Sequence, residues 1–245
     1  MKLLGTDTKL VKYNGERFLV AGLSLAPAKL SGFGNVCPQA TPGCRASCVL
    51  WYTGRTVMDS VRNAMRRRTE FFMHNRSCFL QQLMHDIDLH EKQAARLQLR
   101  CCVRLNVASD LDWQDVARSF PDVAFYDYTK VRSRCLAPTW PENYALTYSV
   151  NEKSKPRDVN EILKAGSNVA VVYSTRYHPR SGRIDPLPES WRIGRSTWEV
   201  VDGDVADVRL PEFDGSGVIV GLRFKGSLKR RAKMIKNGFC VEVAS

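Results

Sequence analysis

The chain has 245 residues, 44% of them hydrophobic and 25% charged, a globular balance that excludes a fibrous or low-complexity protein. No apolar run approaches the roughly 18 residues a membrane-spanning helix needs, and the N-terminal MKLLGTDTKLVKYNG is too polar for a signal-peptide core, so the chain is expected in the cytoplasm. There, eight cysteines point to metal binding or chemistry before disulfides, and a net charge of +12 favours a polyanionic or phosphorylated partner.

The length suits one α/β domain over residues 1–245 that needs no staples to hold its core. RFLVAGLSLAP (17–27) predicts a first strand, and a cysteine loop over 35–50 follows it. Asp59 or Ser60 is placed to cap a helix through VRNAMRRRTEFFMH, with Val61, Met65 and Phe72 on one side. Ser77 is placed to cap a second helix that carries Leu80, Leu83, Met84 and Ile87 and runs toward Arg96. Strands and helices then alternate: CCVRLNVASD, LDWQDVARSF, VAFYDYTK, VRSRCL, YALTYSV, DVNEILKAG ended by Gly166, and NVAVVYST. An irregular stretch rich in Pro, Gly and Arg runs from Arg176 to about Arg195. WEVVDGD and GVIVGLRFKG read as strands, and residues 221–245 add a basic helix capped by Ser227 and stopped by Gly238, then a last strand, FCVEV.

Alternating strands and helices imply a mostly parallel sheet in a full or partial β/α (TIM-like) barrel, with an open doubly wound sheet as the main competitor. Polar residues gather at the carboxyl ends of the predicted strands, and in a barrel those ends share the face that holds the active site. Asn106, Asp110, Asp127, Lys130, Ser149 and Arg223 are the resulting candidates for holding a cofactor or an anionic substrate.

The loop NVCPQATPGCRASC spaces Cys37, Cys44 and Cys48 as C-x6-C-x3-C directly after the first strand. Three readings are open. The thiols could be unconnected and partly core. They could bind zinc, with Cys135, Cys240 or a histidine as fourth ligand, although the six-residue gap is wide for that metal. Or they could hold a [4Fe–4S] cluster, which is large enough to be wrapped by one loop. The glycine and prolines between the cysteines favour a chain wound tightly around the cluster. Three ligands would leave its fourth iron open to a non-protein ligand. Cys78, Cys101, Cys102, Cys135 and Cys240 are scattered and read mostly as small core residues.

C-P-x-A-x2-G-C-x3-C, together with VRLN-x2-SD, FPDV-x-FYDYTK, VDGD-x2-D-x-R and GVIVGLR-x-KG, resembles the phage gene product eighty-eight domain family from about Phe18 to about Gly226. That resemblance implies a phage-encoded protein working in the cytoplasm of a bacterial host. A looser resemblance is to radical SAM enzymes, which carry three cysteines in the loop after the first strand of a partial barrel. Their usual spacing is C-x3-C-x2-C, and no counterpart of their glycine-rich cofactor segment is found here. It implies S-adenosylmethionine as a candidate cofactor.

Basic residues cluster twice: six arginines between Arg55 and Arg76 face only Asp59 and Glu70, and GLRFKGSLKRRAKMIKNG carries seven Lys or Arg and no acid. Arg66, Arg67, Lys229, Arg230, Arg231 and Lys233 are the candidates for nucleic-acid contact. Weaker signals are Asp86 and His90 at helical spacing, read as a chelating pair or a solvated face, and Asp202, Asp204 and Asp207, read as a cation site or a tight turn. His178 lies in an Arg-rich loop. Tyr126, Tyr128, Tyr148, Tyr173 and Tyr177 could stack on bases or fill the core. Two functional expectations result. One is an iron–sulfur redox or radical enzyme acting on a nucleotide or nucleic acid. The other is a non-catalytic DNA- or RNA-binding protein with a structural or redox-sensing cluster or zinc.

Overall fold

Phe18–Leu23, read as FLVAGL, is buried at every position, as a strand covered on both faces must be. It is β2 in a computed structural model that describes residues 1–6, 10, 17–52, 57–176, 178 and 181–243; Arg55 and Tyr177 of the candidates above lie outside them. A short β1 (Leu4–Gly5) precedes it. After β2 come α1 (Pro42–Ala46) and α2 (Val49–Tyr52) on the cysteine loop, then α3 (Asp59–His74) and α4 (Arg76–Arg96). The alternating part is β3 (Arg100–Arg104), α5 (Gln114–Arg118), β4 (Ala124–Thr129), α6 (Arg132–Cys135), β5 (Tyr144–Ser149), α7 (Pro156–Lys164) and β6 (Asn168–Tyr173). The chain closes with β7 (Ser190–Ile193), β8 (Ser196–Asp202), α8 (Pro211–Asp214), β9 (Ile219–Arg223) and α9 (Leu228–Lys236).

The strands form one sheet in the order β1-β2-β3-β4-β5-β6-β9-β8-β7. From β2 through β6 each strand pairs in parallel with the next in sequence, and β9 continues the parallel run beside β6 and β8. Only the two edges are antiparallel, β1 on β2 and β7 on β8. The class is therefore α/β with a mostly parallel sheet. Strand order never reverses between β2 and β6, so the sheet lacks there the switch point of a doubly wound fold. A closed barrel is not formed, because β1 and β7 end the sheet as separate edges among the described residues.

Period-two alternation divides the sheet into two faces. Leu19, Ala21, Cys101, Val103 and Phe125 meet the helices, packing with Phe72 of α3, Phe79, Leu83 and Ile87 of α4, and Val116 of α5. Phe18, Val20, Cys102, Ala124 and Tyr126 point the other way and meet Val208 and Leu210 of the segment between β8 and β9. That segment fills part of the inner face that neighbouring strands would otherwise enclose.

The helices start and stop a little differently from expectation. Met58 occupies the cap position of α3 and Asn75 that of α4, so Asp59, Ser60 and Ser77 lie in first turns instead. Ser227 does cap α9 by accepting from the Arg230 N–H, and Gly166 (φ 84°) and Gly238 (φ 80°) end α7 and α9 in the left-handed region that favours glycine. The expected last strand is a single parallel bridge, Tyr173 to Val241. β6 is already paired on both sides by β5 and β9, which leaves the C-terminal segment only its end. β7, SWRI, lay hidden at the end of the irregular stretch because its alternation runs over only four residues, Trp191 and Ile193 inward and Ser190 and Arg192 outward, after a run of Pro, Gly and Arg.

Candidate functional site

A cavity of about 680 Å³ lies at the carboxyl ends of the parallel strands, on the sheet face opposite α3, α4 and α5. Arg104 from β3, Tyr128 from β4, Ser149 from β5, Val172 from β6 and Leu222 from β9 line its sheet side. Cys37, Cys44 and Cys48 line it as well, because the loop after β2 emerges at the same end. The sequence thus brings the three thiols and the strand-end polar groups to one place.

Two sets of contacts hold the cysteine loop. At its start, the Asp110 N–H donates to the Val36 carbonyl (2.8 Å), and the Cys37 thiol donates to the Ala108 carbonyl while its sulfur accepts from the Ala28 N–H, both at 3.2 Å. Burial pushes the Cys37 thiol up to about 11; the Ala28 N–H and Lys130 pull the other way. At α1, Glu152 from the loop after β5 accepts from the Gly43 N–H and the Thr41 hydroxyl, both at 2.8 Å, and Thr41 in turn accepts from the Cys44 N–H. Burial opposes the Glu152 charge, yet these hydrogen bonds leave its carboxyl below the usual range. Only glycine fits between these partners: a Cβ on Gly43 would stand 2.8 Å from Glu152 Oε2 and 2.9 Å from Phe239 Cβ. Cys48 packs beside Ala26, Trp51 and Met65. Among the described residues, no three His, Cys, Asp or Glu side chains are gathered tightly enough to hold a single metal ion. Cys135 packs in an apolar cluster near α7, and Cys240 in another beside α9 that also takes in Ala46 of the cysteine loop.

Of the six strand-end candidates, five line the cavity and one does not. Asp127 is fully buried behind the wall, because alternation turns Tyr126 and Tyr128 inward and Asp127 toward β5. It accepts from the Asn106 N–H (2.7 Å) and the Tyr144 hydroxyl (2.6 Å). Asn106 reaches the cavity but is spent on structure: its Oδ1 accepts from Ser109, Leu111 and Trp113, and its Nδ2 donates to Leu111 and Asp127. Asp110 accepts from Thr129, the Lys130 N–H and Arg134. Arg223 is held by Asp202 and Asp204, and Lys225 by Asp204. Lys130 differs, since its Nζ meets the Ser149 hydroxyl at 3.0 Å and pairs with no carboxylate among the described residues.

Sequence reading missed Arg104, whose signal was a charge inside the apolar run CCVRL. It is buried with Asp207, which it meets through Nη1 at 3.0 Å, and Tyr126 donates to the same carboxylate at 3.0 Å. Glu152, the anchor of the cysteine loop, carried no signal beyond its place at a strand end. The weaker motifs resolve into structure. Asp86 accepts from the Leu3 and Leu4 N–H groups, and His90 bonds the Leu19 carbonyl, so the pair forms buried struts and neither a chelate nor a solvated face. Asp202 accepts from the Asp204 N–H, as the turn reading requires, and Asp207 serves Arg104 instead of joining them. His178 pairs with Asp185 at 2.8 Å. Tyr126, Tyr148 and Tyr173 are buried in the core, and Tyr128 lies under Arg104 at the cavity wall. Arg66 and Arg67 are exposed on α3, and Lys229 and Lys233 on α9. Arg230 is half-buried over the Tyr52 ring, and Arg231 donates to the Ser174 carbonyl.

No helix in the described residues is long and apolar enough to cross a membrane. In comparisons with known proteins, a family model described as Gene product 88 matches residues 1–242. No curated protein and no solved structure matches the chain.

Proposed function

The chain belongs to the gene product 88 family, and from that premise we propose that it is a phage-encoded, cytoplasmic iron–sulfur protein, a partial β/α barrel of the radical SAM-like kind. Its [4Fe–4S] cluster is held by Cys37, Cys44 and Cys48, and it acts as a redox or radical enzyme on a nucleotide or nucleic acid. The observation that carries this reading is the placement of all three thiols on the wall of one cavity at the carboxyl ends of the strands. The donor set suits the group, since soft thiolates select zinc or iron–sulfur clusters. A four-iron cube also spreads its ligands farther apart than a single ion does, in keeping with three thiols that line one cavity and form no single-ion group among the described residues.

When bound, such a cluster supplies one-electron chemistry and an open iron for the amino and carboxylate groups of S-adenosylmethionine. The chain supplies the rest. The Ala28 N–H donates to the Cys37 sulfur and works against the burial that otherwise keeps it a thiol. Lys130, steadied by Ser149, presents an ammonium to an anionic group in the cavity. Leu222, Val172 and Phe224 keep the other side of the cavity apolar.

Anaerobic purification should give a brown protein with about four irons per chain, lost in the Cys37→Ala, Cys44→Ala and Cys48→Ala variants. Adding S-adenosylmethionine to the reduced protein should change the cluster's electron paramagnetic resonance signal. A colourless protein with stoichiometric zinc would overturn the cluster. An unchanged signal would remove the radical branch and leave a second reading: a DNA- or RNA-binding protein whose cluster is structural or redox-sensing. The exposed cations of α3 and α9, outside the cavity, favour that second reading.

A further inference from the structure

The two basic segments are far apart in sequence, yet both are fastened to the same short turn. α2 follows Cys48 directly, and its last two residues are Trp51 and Tyr52. Arg62 and Arg66 of α3 lie over the Trp51 ring, at 5.0 and 5.7 Å from its centroid. Arg230 of α9 lies over the Tyr52 ring at 4.5 Å. Two neighbouring aromatic side chains, each engaged by cation–π contact, therefore set α3 and α9 on either side of α2. Trp51 is buried, whereas Tyr52 is 39% exposed and lines the cavity together with Val49 and Arg45. The basic helices thus flank the cavity rim.

On these helices, five cations carry no ion pair among the described residues: Arg66, Arg67, Lys229, Lys233 and Lys236. Of the cavity's arginines, Arg104 and Arg223 are matched by carboxylates, and Arg45 donates to the Ala40 carbonyl. A small anion in the cavity would be met by Lys130, Lys29 and Arg45, and none of the five cations on the helices lines the cavity. Five cations that a cavity ligand cannot touch suit a ligand that extends beyond it and carries repeated negative charge. A single strand fits better than a duplex. Its bases are free to stack on a half-exposed ring such as Tyr52 and to enter the cavity, where a paired base would first have to be extruded.

We propose that α3 and α9 form one track for single-stranded nucleic acid, which crosses the cavity mouth at Tyr52 with its phosphates on Arg66 and Arg67 at one side and Lys229 and Lys233 at the other. This rests on the reading of the cavity as the reactive site. It names the substrate as a strand and not a free nucleotide.

The test uses the full chain, purified anaerobically, and a fluorescein-labelled oligothymidylate long enough to span both helices. Anisotropy titrations over a range of salt give the slope of log K against log salt, about −0.7 for each phosphate neutralised on a single strand. The Arg66→Gln/Arg67→Gln pair and the Lys229→Gln/Lys233→Gln pair should each flatten that slope by about 1 to 2 and weaken binding, and the four changes together should add. The pair Lys92→Gln/Arg96→Gln, on exposed α4 positions, should leave binding unchanged. An oligoribonucleotide of equal length tells whether the strand is RNA or DNA, and tighter binding of either supports the track. Loss confined to one helix, an equal loss from the α4 control, or a duplex that competes as well as the single strand would overturn it. Iron content is read on the same samples. Strand binding without iron overturns the cluster and not the track, and iron without strand binding does the reverse.

Discussion

Arg104 sits inside an apolar strand and faces two carboxylates, Asp207 at 3.0 Å and Asp127 at 3.9 Å. Burial works against its charge, but the surrounding acids outweigh that and hold it protonated. One guanidinium matches one carboxylate, and the two acids do not share it equally. Burial pushes Asp127 up to about 7, against the pull of Arg104, the Tyr144 hydroxyl and the Asn106 N–H. A carboxyl whose folded value stands above its unfolded one stabilises the fold fully at low pH and loses that contribution as pH rises. Asp127 should therefore lower stability between about pH 4 and about pH 7, by up to about 1.4 kcal/mol per pH unit. The Asp127→Asn variant should lose this slope in urea unfolding run at several pH values; parallel curves for the two proteins would show that Asp127 is ionised throughout. None of this was visible in VAFYDYTK, where Asp127 read as a strand-end ligand. Its neighbours across the sheet, not its position along the strand, set its role.

The element that decides the site is the five-residue α1, too short to be stable alone and held from outside. Thr41 and Pro42 start it as a cap and a first-turn proline, and Glu152 ties it to the end of β5. Glu152 acts on Cys44 only through Thr41 and Gly43, so it is a positioning residue. Replacing Glu152 with Ala should speed hydrogen exchange across residues 41–48 of the metal-free chain. It should also weaken iron retention against a chelator by about 10-fold or more, whereas Gln should largely restore both. Unchanged exchange in the Ala variant would mean that the loop holds itself. The loop's place after the first strand was legible from its sequence. Its anchor was not, because Glu152 lies far along the chain and meets it only in the folded sheet.

At the scale of the molecule, the segment after β8 is what joins the inner face together. Val208 and Leu210 cover Val20, Cys102 and Tyr126, and Asp207 reaches in to Arg104 and Tyr126. Asp207→Ala would leave a buried guanidinium without its main partner, so the variant should lose about 3–5 kcal/mol in urea unfolding. A loss under about 1 kcal/mol would mean that water or Asp127 replaces it. The sequential order of β2 through β6 follows from the alternating pattern of short strands and helices, since successive parallel strands joined by one crossover prefer to be neighbours. That much, with the cysteine loop at the carboxyl end, the chain's residues determined by themselves through periodicity, turn residues and adjacency. The tertiary structure decided the rest: an open sheet in place of a closed barrel, the burial of Asp127, the pairing of Arg223 with acids, the contact of Lys130 with Ser149, and the attachment of α3 to Trp51 and of α9 to Tyr52. Each of these depends on residues distant in the chain, and local pattern carries no information about which of them will touch.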